Sequence, residues 1–313
     1  MTQSTAKIIR IGTRASPLAL AQSEQVREAL LAAHPELEAE QVVLIPMKTT
    51  GDAIQSRKLE DIGGKGLFTK EIEEALLDGR VDMAVHSMKD MPTQLPNGLE
   101  IKCVLQREDA RDAFISPHAA SLEALPHGAR FGTASLRRGA QILHLRPDMK
   151  LVPLRGNVET RLRKLNEGEC DATMLAMAGL NRLDMAHVAT LALPVATCLP
   201  AVAQGAVGVE TRAGDAEINR LLHALNHVPT LTAITAERAM LEMLDGSCRT
   251  PIAAYATLDG DNMHLDGLIA KPDGSVTHRN QTNGLVRNLS EAYELGAELG
   301  AKLKALAGPR FLQ

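Results

Sequence analysis

The chain has 313 residues, with 34 Lys+Arg against 38 Asp+Glu, a formal balance of −4. That balance argues against a general polyanion binder, and the scarcity of rings (no Trp, two Tyr, four Phe) against a base-stacking nucleic-acid platform. The length suits two or three domains, and 45% hydrophobic with 23% charged residues is ordinary globular composition, with a core of Leu, Val, Ile, Met and Ala.

The first two thirds alternate strand and helix signals. Residues 7–12 read as a strand. Ser16-Pro17 then supplies an N-cap and a proline in the first helical turn, opening a helix to about residue 33. A strand is expected at 41–48. The stretch 51–66, with Gly at 51, 63, 64 and 66 and few apolar anchors, reads as a mobile loop able to close over a site. An amphipathic helix follows at 67–77, stopped by Asp78-Gly79, then a short strand at 83–87 apolar enough to be buried on both faces. Further strands are expected at 131–133, 151–154 and 172–175, each leading into a helix, at 136–145, 158–165 and 177–183. Such alternation implies parallel, doubly wound sheets, with ligands at the carboxyl ends of strands.

The last third differs. A long helix at 230–244 ends in Asp245-Gly246-Ser247-Cys248, followed by strands at 251–258, 263–270 and 276–281 and a final helix at 289–306. That is a small α+β domain on a three-stranded, antiparallel sheet.

Arginines stand out against the acidic total. Residues 130–182 hold ten basic side chains against five acidic ones, and eight of the ten are Arg. Guanidinium groups make planar, two-pronged contacts to carboxylate and phosphate. Arg137 and Arg138 occupy the first turn of an expected helix, where they oppose the helix dipole unless an anion sits nearby. Thr133 and Ser135 could cap the same turn. Arg155-Gly156-Asn157 repeats the pattern at the next junction, and Thr13-Arg14-Ala15-Ser16 at the first. A buried strand ending in Ser87-Met88-Lys89-Asp90 puts a carboxylate able to steady a developing cation, and an ammonium able to hold an anion, at the crevice end of a sheet.

The four cysteines, Cys103, Cys170, Cys198 and Cys248, form no CxxC and have no histidine at zinc spacing, so no metal site is expected. A disulfide framework does not suit so long a chain. With no apolar leader or membrane span legible in the sequence, a reducing, cytoplasmic setting is expected. Three cysteines read as small buried hydrophobes. Cys248, on a Gly-Ser turn before Arg249, suits a thiol of lowered pKa.

Ordered motifs along nearly the whole chain resemble the porphobilinogen deaminase family. They include Thr13-Arg14-Ala15-Ser16-Pro17-Leu18, Gly63-Gly64-Lys65-Gly66-Leu67-Phe68 and His86-Ser87-Met88-Lys89-Asp90. Further on come Ser135-Leu136-Arg137-Arg138, Leu154-Arg155-Gly156-Asn157, Gln204-Gly205-Ala206 and Gly246-Ser247-Cys248-Arg249-Thr250-Pro251. The resemblance implies an enzyme that joins four porphobilinogen molecules into a linear hydroxymethylbilane, releasing ammonia each time. It implies a covalent dipyrromethane cofactor in thioether linkage to Cys248, and Asp90 as catalytic carboxylate. It assigns Arg14, Ser16, Ser87, Lys89 and the loop residues Lys65 and Phe68 to cofactor or substrate binding. Thr133, Ser135, Arg137, Arg138, Arg155, Gly156, Arg161, Arg182 and Gln204 receive the same assignment.

By the same resemblance the protein is a monomer whose partners are porphobilinogen and the growing polypyrrole, with no nucleic acid or membrane. Two doubly wound domains similar to type II periplasmic binding proteins are expected at 1–104 plus 200–223 and at 105–199, with a third at 224–313. Two positions depart from the pattern: Ser247 and Ala203 stand where glycine is common. A non-catalytic two-lobed anion-binding protein is the alternative, and it would need neither Cys248 nor Asp90.

Overall fold

The computed structural model describes residues 8–50, 69–246, 250–308 and 311. Two compact units emerge: residues up to 106 with 207–228, and 107–206 with 229 onward. The chain thus passes between them at 106/107, 206/207 and 228/229, against boundaries expected at 104, 199 and 223.

In the first unit, β1 (Ile9–Arg14), β2 (Val42–Met47), β3 (Met83–Ser87), β4 (Leu99–Val104) and β10 (Val207–Arg212) form one sheet in the order β2-β1-β3-β10-β4. β1 runs parallel to both β2 and β3, while β10 lies antiparallel between β3 and β4. Helices α1 (Pro17–Ala33) and α2 (Lys70–Leu77) connect the parallel strands, and α6 (Ala216–His223) follows β10. Ile9, Ile11, Val26, Leu30, Met83, Val85, Val207 and Val209 form the main core.

The second unit repeats this order. Its strands are β5 (Asp112–Ile115), β6 (Arg130–Gly132), β7 (Lys150–Val152), β8 (Ala172–Ala176) and β9 (Leu191–Ala192), ordered β7-β6-β8-β5-β9. β6 is parallel to β7 and β8, and β5 is antiparallel to β8 and β9. Helices α3 (Leu136–Leu145), α4 (Val158–Asn166) and α5 (Met177–Arg182) fall close to expectation. The wholly parallel sheets expected from the alternation give way at β5 and β10. Each is the first strand after the chain crosses into its unit, so it enters without a preceding βα turn and lies antiparallel.

The remainder of the second unit is α7 (Val228–Met243), an antiparallel sheet of β11 (Ile252–Asp259), β12 (Asn262–Ala270) and β13 (Thr277–Leu285), and α8 (Leu289–Ala307). This sheet packs on the β5–β9 domain through Ala140, Leu199, Ala253, Leu268 and Ala270. Polar ties reinforce the apolar seam: Arg279 donates to the Ala196 carbonyl at 2.7 Å, and Ala254 N to that of Pro200 at 3.2 Å. Among the described residues no helix is long and apolar enough to cross a membrane.

Candidate active site

In the first unit the sheet presents its functional side chains at the carboxyl ends of β1 and β3. Thr13, fully buried, donates its hydroxyl proton to the Ala19 carbonyl at 3.2 Å, drawing the end of β1 onto the start of α1. Ser16 caps that helix, its hydroxyl accepting from Ala19 N, and Pro17 supplies the preset φ of the first turn. β3 is buried for four residues and runs directly into a 3-10 turn, Met88–Asp90. Met88 plugs the core, so Lys89 is left half-buried and Asp90 exposed. Arg14, Ser87 and Asp90 line one small hollow together with Gln22, Thr69, Val85 and His86.

Gln22 carried no sequence signal beyond being an amide on the otherwise small or apolar buried stripe Ala19, Ser23, Val26, Leu30. Its amide exchanges two hydrogen bonds with Ser87: Nε2 donates to Oγ at 2.9 Å and Oε1 accepts from it at 3.1 Å. The Ser87 hydroxyl is thereby held at the hollow's edge. His86 is part of the strand-end motif read from the sequence, but its partner Glu210 is not. Their side chains meet at 2.9 Å, 124 residues apart, and both are buried.

The second unit offers the ends of β6, β7 and β8. Ser135 caps α3, accepting from Arg138 N at 3.4 Å, and the Thr133 hydroxyl accepts from Ser135 N at 3.1 Å. Asn157 caps α4 by accepting from Thr160 N at 2.9 Å. Gly156 sits at φ 116°, where a side chain would also strike Thr160, so glycine is required there. Arg161 Nε donates to the Gly156 carbonyl at 2.8 Å. Arg182 donates to the Gly205 carbonyl at 2.9 Å, and burial lowers its pKa from the usual guanidinium value, partly offset by Glu108. Half-buried Arg155 has no hydrogen-bonded acceptor among the described residues.

Arg137, Arg138 and Gln204 sit differently from expectation. All three are buried and converge on Asp112, which is fully enclosed at the start of β5. Arg137 Nη1 donates to Asp112 Oδ2 at 2.6 Å and to the Leu199 carbonyl at 2.8 Å. Arg138 donates to Asp112 Oδ1 through Nε at 3.2 Å and Nη2 at 2.7 Å, and Gln204 Nε2 adds a bond at 2.9 Å. Although burial opposes ionisation, the two guanidiniums hold the Asp112 carboxyl far below the usual range. The anion that two arginines at a helix start call for is thus supplied by the protein itself. In this structure these three side chains face Asp112 rather than a concavity.

Of the remaining candidates, Lys65, Phe68 and Cys248 lie outside the described residues, as does the whole 51–66 loop. Cys103, Cys170 and Cys198 are buried, and burial pushes the Cys103 and Cys198 thiols up to about 12. Neither is a nucleophile at neutral pH. No cluster of metal-ligating side chains occurs among the described residues.

Residues 9–220 match the family model described as porphobilinogen deaminase, dipyromethane cofactor binding domain, and residues 231–305 match the porphobilinogen deaminase C-terminal domain. The chain belongs to the porphobilinogen deaminase family. The chloroplastic porphobilinogen deaminase of Oryza sativa subsp. japonica is 54% identical over 311 residues, covering 99% of this chain and 87% of the relative. That of Nitrobacter hamburgensis is 52% identical over 301 residues, covering 96% and 94%. Among solved structures, a periplasmic substrate-binding protein of an ABC transporter from Coxiella burnetii aligns with a TM-score of 0.44 at 16% identity, covering 74% of this chain and 97% of that one.

The residues present suit the family's acidic dipyrromethane. Cationic side chains and helix N-termini, both complementary to carboxylates, gather at strand ends in each unit, Arg14 beside Ser87 and Asp90 in the first and Arg155 beside the Asn157-capped α4 in the second. Ala203, where the porphobilinogen deaminase pattern commonly has glycine, adopts φ 58°, a left-handed conformation that explains the preference.

Proposed function

We propose that this chain condenses four porphobilinogen molecules head to tail into a linear hydroxymethylbilane for tetrapyrrole biosynthesis. It acts as a cytoplasmic monomer primed by a dipyrromethane in thioether linkage to Cys248. The cofactor, when bound, supplies the acceptor pyrrole on which the chain is built. Everything else falls to the protein's own side chains.

Asp90 is the catalytic residue. Loss of ammonia from the substrate's aminomethyl arm leaves positive charge shared with the pyrrole nitrogen, and a carboxylate fixed on a rigid turn stabilises that charge without reorganising. Ser87, oriented by Gln22, and Arg14 at the same hollow bind substrate acetate and propionate groups, with Lys89 beside them. Arg155, Arg161 and Arg182 of the second unit take up carboxylates of the growing polypyrrole. The observation that carries this reading is the shared hollow of Asp90, Arg14 and Ser87 in a chain whose residues 9–220 match the family's cofactor-binding domain.

The test is direct. Purified protein should consume porphobilinogen, and its intact mass should exceed the sequence mass by two pyrrole units, an excess absent from Cys248→Ser. Asp90→Ala should lower kcat by roughly 10²–10³-fold with an unchanged circular dichroism spectrum. A wild-type protein carrying no added mass and leaving porphobilinogen untouched would overturn the proposal.

A further inference from the structure

Behind the Asp90 hollow lies a second ionisable set that carboxylate binding does not use. His86 lines the hollow and is only 6% exposed. Its Nε2 contacts Glu210 of β10 at 2.9 Å, and Glu73 of α2 completes the group. Both glutamates are buried, Glu210 completely. The strand register is what brings them together. Gly208 pairs with His86 across the β3–β10 ladder, which leaves room for Met88, and Glu210 follows two residues later on the same face.

The hydrogen bonding of this set is incomplete. Glu73 Oε1 and Glu210 Oε1 are both buried without a hydrogen-bond partner. A bare carboxylate oxygen in the interior is costly, and the cost falls away if one carboxyl carries a proton. Burial pushes the Glu73 pKa up. The Thr69 hydroxyl pulls it back, the charge of Glu210 raises it again and His86 lowers it, so Glu73 stays above the usual carboxylate range. The raised carboxyl of Glu73 therefore gives the group a place for a proton. The hollow itself, about 20 Å³, has room for one water-sized molecule.

The proposed reaction needs such a store. In each addition the C–N bond of the aminomethyl arm, protonated as an ammonium, breaks and its electron pair leaves with ammonia. A C–C bond forms to the acceptor pyrrole, whose α C–H bond then breaks and returns its electron pair to the ring. The released proton ends on ammonia, giving ammonium, so each cycle begins and ends with the same number of protons on the enzyme. We propose that the His86–Glu210–Glu73 group is the relay that takes up this proton and passes it to the released ammonia through a water-sized molecule in the hollow beside Asp90. His86 is then a positioning residue acting through that molecule rather than touching substrate. The proposal rests on the deaminase reading above. The charged groups facing the relay are Glu73 from α2, Glu210 from β10 and, across the hollow, Arg14 from β1 and Asp90 from the 3-10 turn.

The test uses the cofactor-loaded protein and the near-isosteric variants Glu210→Gln and Glu73→Gln. Glu210→Gln should lower kcat about 10²-fold, the lower end of general acid–base contributions. KM should stay within about twofold, and the pH profile of kcat should lose or shift one limb and change its solvent deuterium isotope effect. Should the variants fold poorly, infrared spectroscopy of the parent supplies an independent reading. A protonated carboxylic-acid band at neutral pH is expected, and it should vanish in whatever folded fraction of Glu73→Gln can be isolated. Variants whose pH profile and isotope effect superimpose on the parent, or a parent lacking the acid band, would overturn the relay and leave the deaminase reading intact. A parent that does not consume porphobilinogen would remove both.

Discussion

Replacing Asp112 with asparagine should expose the main electrostatic debt of the second unit. The carboxylate is fully enclosed, while Arg137 and Arg138 retain only 5% and 7% of side-chain exposure. Asparagine keeps the shape but leaves two buried guanidiniums with no countercharge. Removing one partner of a buried ion pair costs about 3–5 kcal/mol, against a total of roughly 5–15 kcal/mol for a typical protein. For a unit of this size about 2–4 °C is lost per kcal/mol, so the melting temperature should fall by roughly 10 °C. The pH dependence has a definite sign. A carboxyl held low in the folded state and ordinary in the unfolded state adds stability that is fully present above about pH 4 and lost as pH falls toward the folded pKa. Calorimetry across pH 3–8 should therefore show the acid branch of wild-type stability flattened in Asp112→Asn. A melting temperature within about 2 °C of wild type, accompanied by a raised KM, would show that these arginines serve ligand rather than Asp112 and refute the reasoning.

Three further outcomes are expected. Gly208→Ala drives a methyl group into the Met88 sulfur, and Met88 opens the turn that carries Asp90. Overpacking of this kind costs about 1–3 kcal/mol, and kcat should fall with the melting temperature; parallel assays retaining both would disprove the coupling. Ala203→Gly should raise stability by ~0.5–1 kcal/mol, because relief of a left-handed alanine, about 1–2 kcal/mol, exceeds the added freedom of the unfolded chain. Urea denaturation midpoints check it, and a clear loss would contradict the strain argument. Finally, thiol titration of the denatured holoprotein should find three reactive groups of the four cysteines, Cys103, Cys170 and Cys198, because Cys248 is occupied. A count of four would disprove the tether.

Local pattern revealed much of this architecture. The Ser16-Pro17 start, the apolar run into Ser87 and the Ser135 and Asn157 caps are short-range signals, and each lies where its chemistry demands. What stayed hidden depends on partners remote in the chain. β5 and β10 are short strands that begin with or contain a buried acid, Asp112 and Glu210, so neither reads as an apolar strand. His86 looks like one more polar residue until a strand 124 positions later supplies Glu210. Gln22 is silent until Ser87, 65 positions away, meets it. At Arg137 and Arg138 the conflict with the helix dipole was legible, but the answering anion was not, because it arrives from a strand 25 residues earlier.

That last case changes how the arginine-rich stretch is to be understood. Of its ten basic residues, Arg130 pairs with Asp171, Arg146 with Asp148, Arg163 with Glu167 and Lys164 with Glu169. Arg137 and Arg138 pair with Asp112. Six of the ten thus answer to the protein's own acids. Arg161 and Arg182 donate to the carbonyls of Gly156 and Gly205, and Arg155 stands just beyond β7. Arg155, Arg161 and Arg182 respectively follow β7, lie on α4 and close α5, in the connections after β7 and β8. On the proposed function, selectivity for a polycarboxylate therefore rests on these few guanidiniums. A few cations, two of them fixed by backbone carbonyls, would recognise carboxylates by position, whereas ten loose ones would bind any polyanion. On that reading the acidic balance of the whole chain is compatible with an anionic substrate, because the attraction is confined to these side chains and to the Arg14 hollow.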